Sequence, residues 1–315
     1  MENHQKLRII FMGTPDFAVA SLQKLVENNY NVVAVITAPD RPAGRGQQLR
    51  ETPVKQYAIS QQIPVLQPER LKRIEFLEEL RGFKADLQVV VAFRMLPELV
   101  WAMPPQGTFN LHGSLLPQYR GAAPVNWAVI NGEAETGVTT FFIEKEIDTG
   151  QLIYNESTPI SDDDTAGTVH DRLMEIGADL VVRTVRAIET GDYPQIPQPD
   201  NVEIKHAPKI FKEDCEIIWQ KPTTDIYNFI RGLSPYPAAW TTFMNKMLKV
   251  FKTTKLNEKS VDFTIEINDQ ETVFLTDEKT FIHAKTDDGW LAIEELQLQG
   301  KKRMTTEEFL RGYRF

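Results

Sequence analysis

The chain has 315 residues, of which 42% are hydrophobic and 25% are charged, and its formal net charge is −9. This length exceeds one typical hydrophobic core and predicts two domains. A single cysteine, Cys215, excludes an internal disulfide, and without CxxC or HExxH spacing we predict no metal site. The sequence has no signal-peptide pattern and no run of about 18 apolar residues, so we expect a cytoplasmic protein that spans no membrane.

Apolar strands alternate with helix-length spacers through residues 1–190. The predicted strands are Arg8–Met12, Asn31–Thr37, Ile63–Leu66, Leu87–Ala92, Thr108–His112, Gly137–Ile143 and Gln151–Asn155. The predicted helices are Asp16–Asn28, one that begins at Thr52–Pro53, Leu71–Leu80 and Thr165–Glu189. This alternation is typical of an α/β domain with a Rossmann-like, mostly parallel sheet that helices cover on both faces.

A different pattern follows residue 190. Gly191–Pro208 contains four prolines and no helical period, so we predict an interdomain linker. Beyond a predicted helix at Thr224–Gly232, short alternating runs favour a small OB-like β-barrel. These runs are Ala239–Phe243, Met247–Thr253, Phe263–Ile267, Thr272–Leu275, Thr280–Ala284 and Trp290–Leu298. The predicted organisation is therefore a domain at 1–190, a linker at 191–208 and a second domain at 209–315.

The junction after the first strand, FMGTPDF, contains one glycine, Gly13. A dinucleotide fingerprint needs three glycines, and the sequence contains no Walker A pattern either, so this junction argues against an NAD or ATP site. Gly13 fits both a simple turn and a ligand contact.

Asn110 and His112 stand two residues apart in the predicted strand TFNLH, so their side chains share a face. The strand ends at Gly113, and ligands of open α/β sheets bind just outside such carboxyl ends. An amide and an imidazole at this edge can meet a reacting carbonyl, although a hydrogen-bonded core histidine would fit the same pattern. Asp148, in EIDTGQLI, fits a turn as well as a catalytic carboxylate.

The run NLHGSLLPQYRGAAP, together with AETGV and IDTG, resembles the folate-dependent formyltransferases. Further stretches resemble the branch of that family that formylates methionine carried by initiator tRNA. These stretches are IIFMGTPDFA (Ile9–Ala18), PDRPAGRG (Pro39–Gly46), TPVKQYA (Thr52–Ala58) and KKRMTTEEFLRGYR (Lys301–Arg314). Together they span nearly the whole chain, so the resemblance implies the family's two-domain fold and its reaction.

The resemblance also implies roles for individual residues. The catalytic residues would be Asn110, His112 and Asp148. The donor, 10-formyltetrahydrofolate, would lie along Ser114, Leu115, Leu116 and Pro117. Arg41 and Arg45 would contact the acceptor end of initiator Met-tRNA, and the C-terminal domain would contact tRNA as well. The chain departs from the family pattern VVAYG, because Val90–Arg94 has Phe93 and Arg94 where tyrosine and glycine are common.

Net charge by itself argues against a nucleic-acid partner, although basic residues cluster around Arg41 and between Lys246 and Lys255. Two alternatives to the tRNA enzyme therefore stay open. One is a formyltransferase that acts on an amino sugar nucleotide or another small amine. The other is a non-catalytic RNA-binding protein with the same domains. We expect the protein to act as a monomer.

Overall fold

A computed structural model describes residues 7–43, 48–199, 201–256, 265–269 and 272–313. The chain folds into two compact units, each assembled from separate segments. The first unit comprises Met1–Gly121, Gly137–Thr158 and His170–His206. The second comprises Ala122–Thr136, Pro159–Val169 and Ala207–Phe315.

The strands of the described residues are β1 Arg8–Gly13, β2 Asn31–Ile36, β3 Arg41–Ala43, β4 Gln48–Arg50, β5 Val65–Leu66, β6 Leu87–Val91, β7 Thr108–His112, β8 Arg120–Gly121, β9 Glu135–Phe142, β10 Leu152–Pro159, β11 His206–Ala207, β12 Ala239–Phe243, β13 Lys246–Leu256, β14 Ile265–Asp269, β15 Thr272–Thr276, β16 Ile282–Lys285, β17 Trp290–Leu298 and β18 Met304–Thr305. The α-helices are α1 Asp16–Glu27, α2 Pro53–Ser60, α3 Ile74–Gly82, α4 Glu98–Trp101, α5 Pro124–Ile130, α6 Ala166–Thr190, α7 Thr223–Leu233 and α8 Thr306–Gly312, and Glu213–Cys215 forms a 3₁₀ turn.

A seven-stranded sheet with the order β10-β9-β7-β6-β1-β2-β5 forms the first unit's framework. Ladders β1–β2, β1–β6, β6–β7 and β2–β5 are parallel, whereas β7–β9 is antiparallel. The apolar run of β1 is fully buried, as expected for a strand covered on both faces. The prediction of a Rossmann-like, mostly parallel sheet is therefore confirmed. From β1 the sheet continues on one side through β2 and β5, whereas β6 lies on the other side of β1. The carboxyl ends of β1 and β6 therefore form the topological switch point, where we expect the ligand-binding crevice.

Helix α2 begins as the sequence predicts. Thr52 caps it by accepting a hydrogen bond from the backbone N–H of Lys55 at 3.1 Å, and Pro53 is the first helical residue. The Thr52 hydroxyl also lies 2.8 Å from the hydroxyl of Thr37, just past the end of β2. These contacts fix the start of α2 against the carboxyl end of β2.

An antiparallel half-barrel with the order β12-β13-β17-β16-β15-β14 forms the second unit, and β18 pairs with β17. The predicted OB-like architecture is confirmed in this sheet. Its mostly aliphatic core contains a group of aromatic rings, in which Phe274 meets Trp219 and Phe243 edge-on at centroid distances of 5.9 and 5.0 Å. Helix α5 packs against α7, where a Cβ on Gly232 would come within 2.5 Å of Ile130.

Two segments differ from their sequence-based description. Residues of the PDRPAGRG loop form β3, which pairs with β4. In the predicted linker, Ile196 pairs with Leu152 and Gln198 bonds to the backbone of residues 148 and 150, so this stretch belongs largely to the first unit. The boundaries 190 and 209 stay a prediction. No helix in the part of the chain that the structure describes is long and apolar enough to cross a membrane.

Candidate active site

Strand β7 carries Asn110 and His112 on one face. Its ladders align Asn110 with Val90 of β6 on one side and Phe141 of β9 on the other, and His112 lies opposite Thr139 of β9. Both residues are thus held by hydrogen-bonded strands at the carboxyl end of β7, beside the switch point.

His112 is 6% exposed and has its two ring nitrogens in different surroundings. Nε2 lies 2.8 Å from the backbone carbonyl oxygen of Tyr119. Because a carbonyl can only accept, Nε2 donates there, and the neutral ring carries its proton on that nitrogen. Nδ1 faces Oδ2 of Asp148 at 3.9 Å, which is too long for a hydrogen bond. Among the described residues nothing hydrogen-bonds Nδ1, so its lone pair is free.

Asp148 is fixed by its backbone and by its carboxylate. It adopts a left-handed conformation with φ 56°, and Oδ2 accepts a hydrogen bond of 3.0 Å from the backbone N–H of Gly121. Two residues later, a Cβ on Gly150 would lie 1.7 Å from the carbonyl oxygen of Phe142, so the chain passes too close for any side chain there. The turn that aims Asp148 at His112 therefore depends on glycine.

Gln198 holds the same turn from the other side, and it is 7% exposed. Its amide nitrogen donates to the carbonyls of Asp148, at 2.8 Å, and Gly150, at 2.9 Å. Its amide oxygen accepts from Nη2 of Arg120 at 2.5 Å. Sequence reasoning missed Gln198 because it stands between prolines, roughly fifty residues from Asp148. Tyr119 and Gly121 were missed because they act through backbone groups.

The side-chain amide of Asn110 forms no hydrogen bond with any residue that the structure describes, and it is half-buried. A free amide next to a fixed imidazole is able to donate to a bound oxygen atom.

The loop Ser114–Pro117, predicted to bind the donor, is held from inside the protein. The buried Ser114 hydroxyl donates to the carbonyl of Gln118 at 2.6 Å. Thr139 donates to the Ser114 carbonyl at 2.6 Å and accepts from the N–H of Leu116 at 3.2 Å. Ser114 and Leu116 are buried, whereas Leu115 and Pro117 are half-exposed. The accessible side chains of this loop are therefore Leu115 and Pro117.

Of the two arginines predicted to contact tRNA, the structure describes one. Arg41 is exposed in β3, and Arg45 falls outside the described residues. Arg94 follows β6 and turns toward the backbone, donating from Nη1 to the carbonyl of Glu69 at 2.9 Å and from Nη2 to that of Pro68. Partial burial and then the positive charge of Arg41 lower the pKa of Arg94.

Comparison with known proteins identifies close relatives. The family model described as "Formyl transferase" matches residues 6–185, and "Formyl transferase, C-terminal domain" matches residues 209–314. A protein of Bacteroides fragilis named methionyl-tRNA formyltransferase is 54% identical over 98% of this chain and 96% of its own length. One of the same name from Flavobacterium johnsoniae is 50% identical over 99% and 98%. Among solved structures, one match is WlaRD, a sugar 3N-formyl transferase solved in the presence of dTDP and 5-N-formyl-THF. Its TM-score is 0.64 at 20% sequence identity, and the match covers 95% of this chain and 100% of that one.

Proposed function

The chain belongs to the formyl transferase family and, within it, to the methionyl-tRNA formyltransferases, and we propose that Asn110, His112 and Asp148 carry out its transfer reaction. The enzyme passes the formyl group of 10-formyltetrahydrofolate to the free amino group of methionine on initiator Met-tRNA, giving N-formylmethionyl-tRNA. The observation that carries the assignment of residues is the free Nδ1 of His112, which faces the Asp148 carboxylate at 3.9 Å on the strand that bears the unbonded Asn110 amide.

The reaction needs no nucleophile from the protein, because the substrate amine attacks the formyl carbon itself. A bond forms between the amine nitrogen and that carbon, and the carbonyl oxygen becomes an oxyanion. The Asn110 amide donates a hydrogen bond to this oxygen. Loss of one such donor typically costs about 3 kcal/mol, which corresponds to a rate loss of about 10²–10³.

A proton must then leave the attacking nitrogen and reach N10 of the departing folate. His112 accepts it on Nδ1, since Nε2 is already protonated and donates to the carbonyl of Tyr119. The ring is then an imidazolium, and Asp148 stabilises its positive charge. When the carbon–N10 bond breaks, Nδ1 returns the proton to N10, so atoms and charges balance over the cycle. The amine must be unprotonated to attack, so activity falls at acid pH.

Substrate binding follows from the same assignment. The formyl donor lies along Ser114–Pro117, with Leu115 and Pro117 contacting it and Ser114 and Leu116 shaping the loop from inside. Arg41 and Arg45 contact the acceptor end of the tRNA, and the C-terminal domain at 209–315 contacts tRNA beyond it. The enzyme works in the cytoplasm as a monomer.

A stopped assay with labelled 10-formyltetrahydrofolate tests this function. Met-tRNA and an amino sugar nucleotide are offered as acceptors in parallel, and we expect label only in the tRNA. Label in the sugar nucleotide would favour the small-amine alternative, and tRNA binding without transfer would favour the non-catalytic one.

A matched pair of histidine variants tests the residue assignment. His112→Ala should lower the single-turnover rate by orders of magnitude while donor binding persists. His170→Ala is the control, because His170 forms an exposed 3.0 Å pair with Asp171 that has no part in the proposal. Near-normal transfer by His112→Ala would exclude this residue from catalysis.

A further inference from the structure

The ribbon formed by β3 and β4 brings two arginines face to face. Arg41 and Arg50 are directly opposite each other in the antiparallel ladder, so their side chains leave the same face of the ribbon. Like charges in that relation destabilise a ladder. Both residues are exposed, and neither side chain forms an ion pair or hydrogen bond with another described residue.

The acidic residues beside this pair are occupied elsewhere. Asp40 precedes Arg41, and its carboxylate accepts from Lys55 at 2.5 Å and from Gln67 at 2.7 Å. Glu51 follows Arg50, and its carboxylate lies 3.0 Å from the same Lys55 ammonium. Lys55 thus draws both flanking carboxylates to itself and leaves the two guanidinium groups unneutralised.

A third guanidinium is linked to this pair through Gln67, which donates to the carboxylate of Asp40 beside Arg41 and directly precedes Pro68, a carbonyl acceptor of Arg94. Arg94, at the carboxyl end of β6, uses one N–H of each terminal nitrogen on the carbonyls of Glu69 and Pro68. A guanidinium has five N–H donors, so three remain for a ligand, and the anchoring has already removed much of the side chain's freedom. Arg94 is exposed, and the charge of Arg41 contributes to its lowered pKa, after the effect of partial burial.

We propose that Arg41, Arg50 and Arg94 form a clamp for phosphodiester groups of the tRNA substrate. This inference rests on the proposed function, and it adds two binding residues, Arg50 and Arg94, to the tRNA-contacting arginines. Arg41 and Arg50 stand opposite each other, and Arg94 bonds only to backbone carbonyls, so none of the three has a carboxylate partner among the described residues. Three unneutralised guanidinium groups on a chain of net charge −9 favour an oxyanion ligand. The pair on the ribbon is exposed, which suits a polyanion that passes along the surface. The carboxylates of a folate glutamyl tail share the oxyanion chemistry, and the test separates the two ligands.

The salt dependence of tRNA binding provides that test. Each phosphate contact contributes about 0.7–0.9 to the slope of log K against log salt concentration. Arg50→Gln and Arg94→Gln should each reduce the slope by that amount and weaken tRNA binding about five-fold at 0.15 M salt, with the KM for 10-formyltetrahydrofolate unchanged. Arg81→Gln is the control, because Arg81 is an exposed arginine of α3 outside the ribbon, and both quantities should stay at the wild-type value.

A charge reversal separates binding from folding. Arg50→Glu puts a carboxylate opposite Arg41, which favours the ladder, so the unfolding temperature should stay the same or rise while tRNA binding falls more than in Arg50→Gln. An unchanged slope in both Gln variants, or a raised folate KM with unchanged tRNA binding, would overturn the clamp. Failure of the proposed function would be recognised separately, because wild-type protein would then transfer no formyl group to Met-tRNA.

Discussion

Replacement of Asp148 by asparagine isolates the charge of this residue from its shape. Asparagine keeps an oxygen that can accept from the N–H of Gly121, and it tolerates the left-handed backbone conformation at φ 56°. The turn should therefore fold as before, and the thermal unfolding midpoint should change little. What Asp148→Asn removes is the negative charge that faces Nδ1 of His112.

The distance between the two groups sets the size of the effect. At 3.9 Å, an effective dielectric constant of about 20 gives an attraction of about 4 kcal/mol between the carboxylate and an imidazolium. Each 1.36 kcal/mol changes a rate about tenfold, so full loss of this attraction would lower the transfer rate about 10³-fold. Residual solvent around Asp148 weakens the attraction, and we expect a loss of about 10²–10³.

A single-turnover assay measures this step directly, with enzyme in excess over Met-tRNA and 10-formyltetrahydrofolate saturating. The dissociation constants for both substrates are measured alongside and should stay within about threefold of wild type, because Asp148 is assigned to the transition state. A transfer rate within threefold of wild type would refute the charge argument. A slow rate that came with a large loss of thermal stability would instead make Asp148 structural.

Three further variants address the groups around this pair. Asn110→Ala should lower the transfer rate about 10²–10³-fold with little change in stability, because its amide has no described partner to lose, and single-turnover kinetics with urea unfolding check both effects. Gln198→Ala leaves the carbonyls of Asp148 and Gly150 without their donor and should destabilise the protein by about 2–4 kcal/mol in urea unfolding while slowing transfer. Gly150→Ala should give little folded protein by circular dichroism, since its Cβ would overlap the carbonyl of Phe142; a soluble, active variant would contradict that geometry.

Elements with a strong local period were predictable from the sequence. The strands Thr108–His112, Ala239–Phe243 and Trp290–Leu298 have the predicted bounds, because alternation of apolar residues and a following turn signal define both face and end. Helix α8 was missed although its signal was present: Thr305 and Glu308 form a capping box, the pattern that marks a helix start.

The site was predictable only where its residues act through side chains on a regular strand. Spacing along β7 relates Asn110 to His112, and the resemblance to the formyltransferases adds Asp148. The groups that orient them are backbone groups, such as the Tyr119 carbonyl and the Gly121 N–H. Nearly every residue has such groups, so the sequence does not reveal which of them act here. Gln198 is joined to Asp148 by tertiary structure, which local periodicity does not encode.

The interleaving of the two units along the chain has a consequence for synthesis on the ribosome. Helix α5 belongs to the second unit, and its Ile130 packs with α7, which begins at Thr223. A ribosome adds about 5–20 residues per second. Roughly ninety residues separate α5 from α7, so the apolar face of α5 stays unpacked for on the order of 5–20 s until α7 has been synthesised. During that interval the first unit's sheet can be completed, because β7, β9 and β10 precede α7 in the chain. Folding of the nascent chain is therefore ordered: the strand that carries Asn110 and His112 can pair within its sheet before the second unit has been fully synthesised.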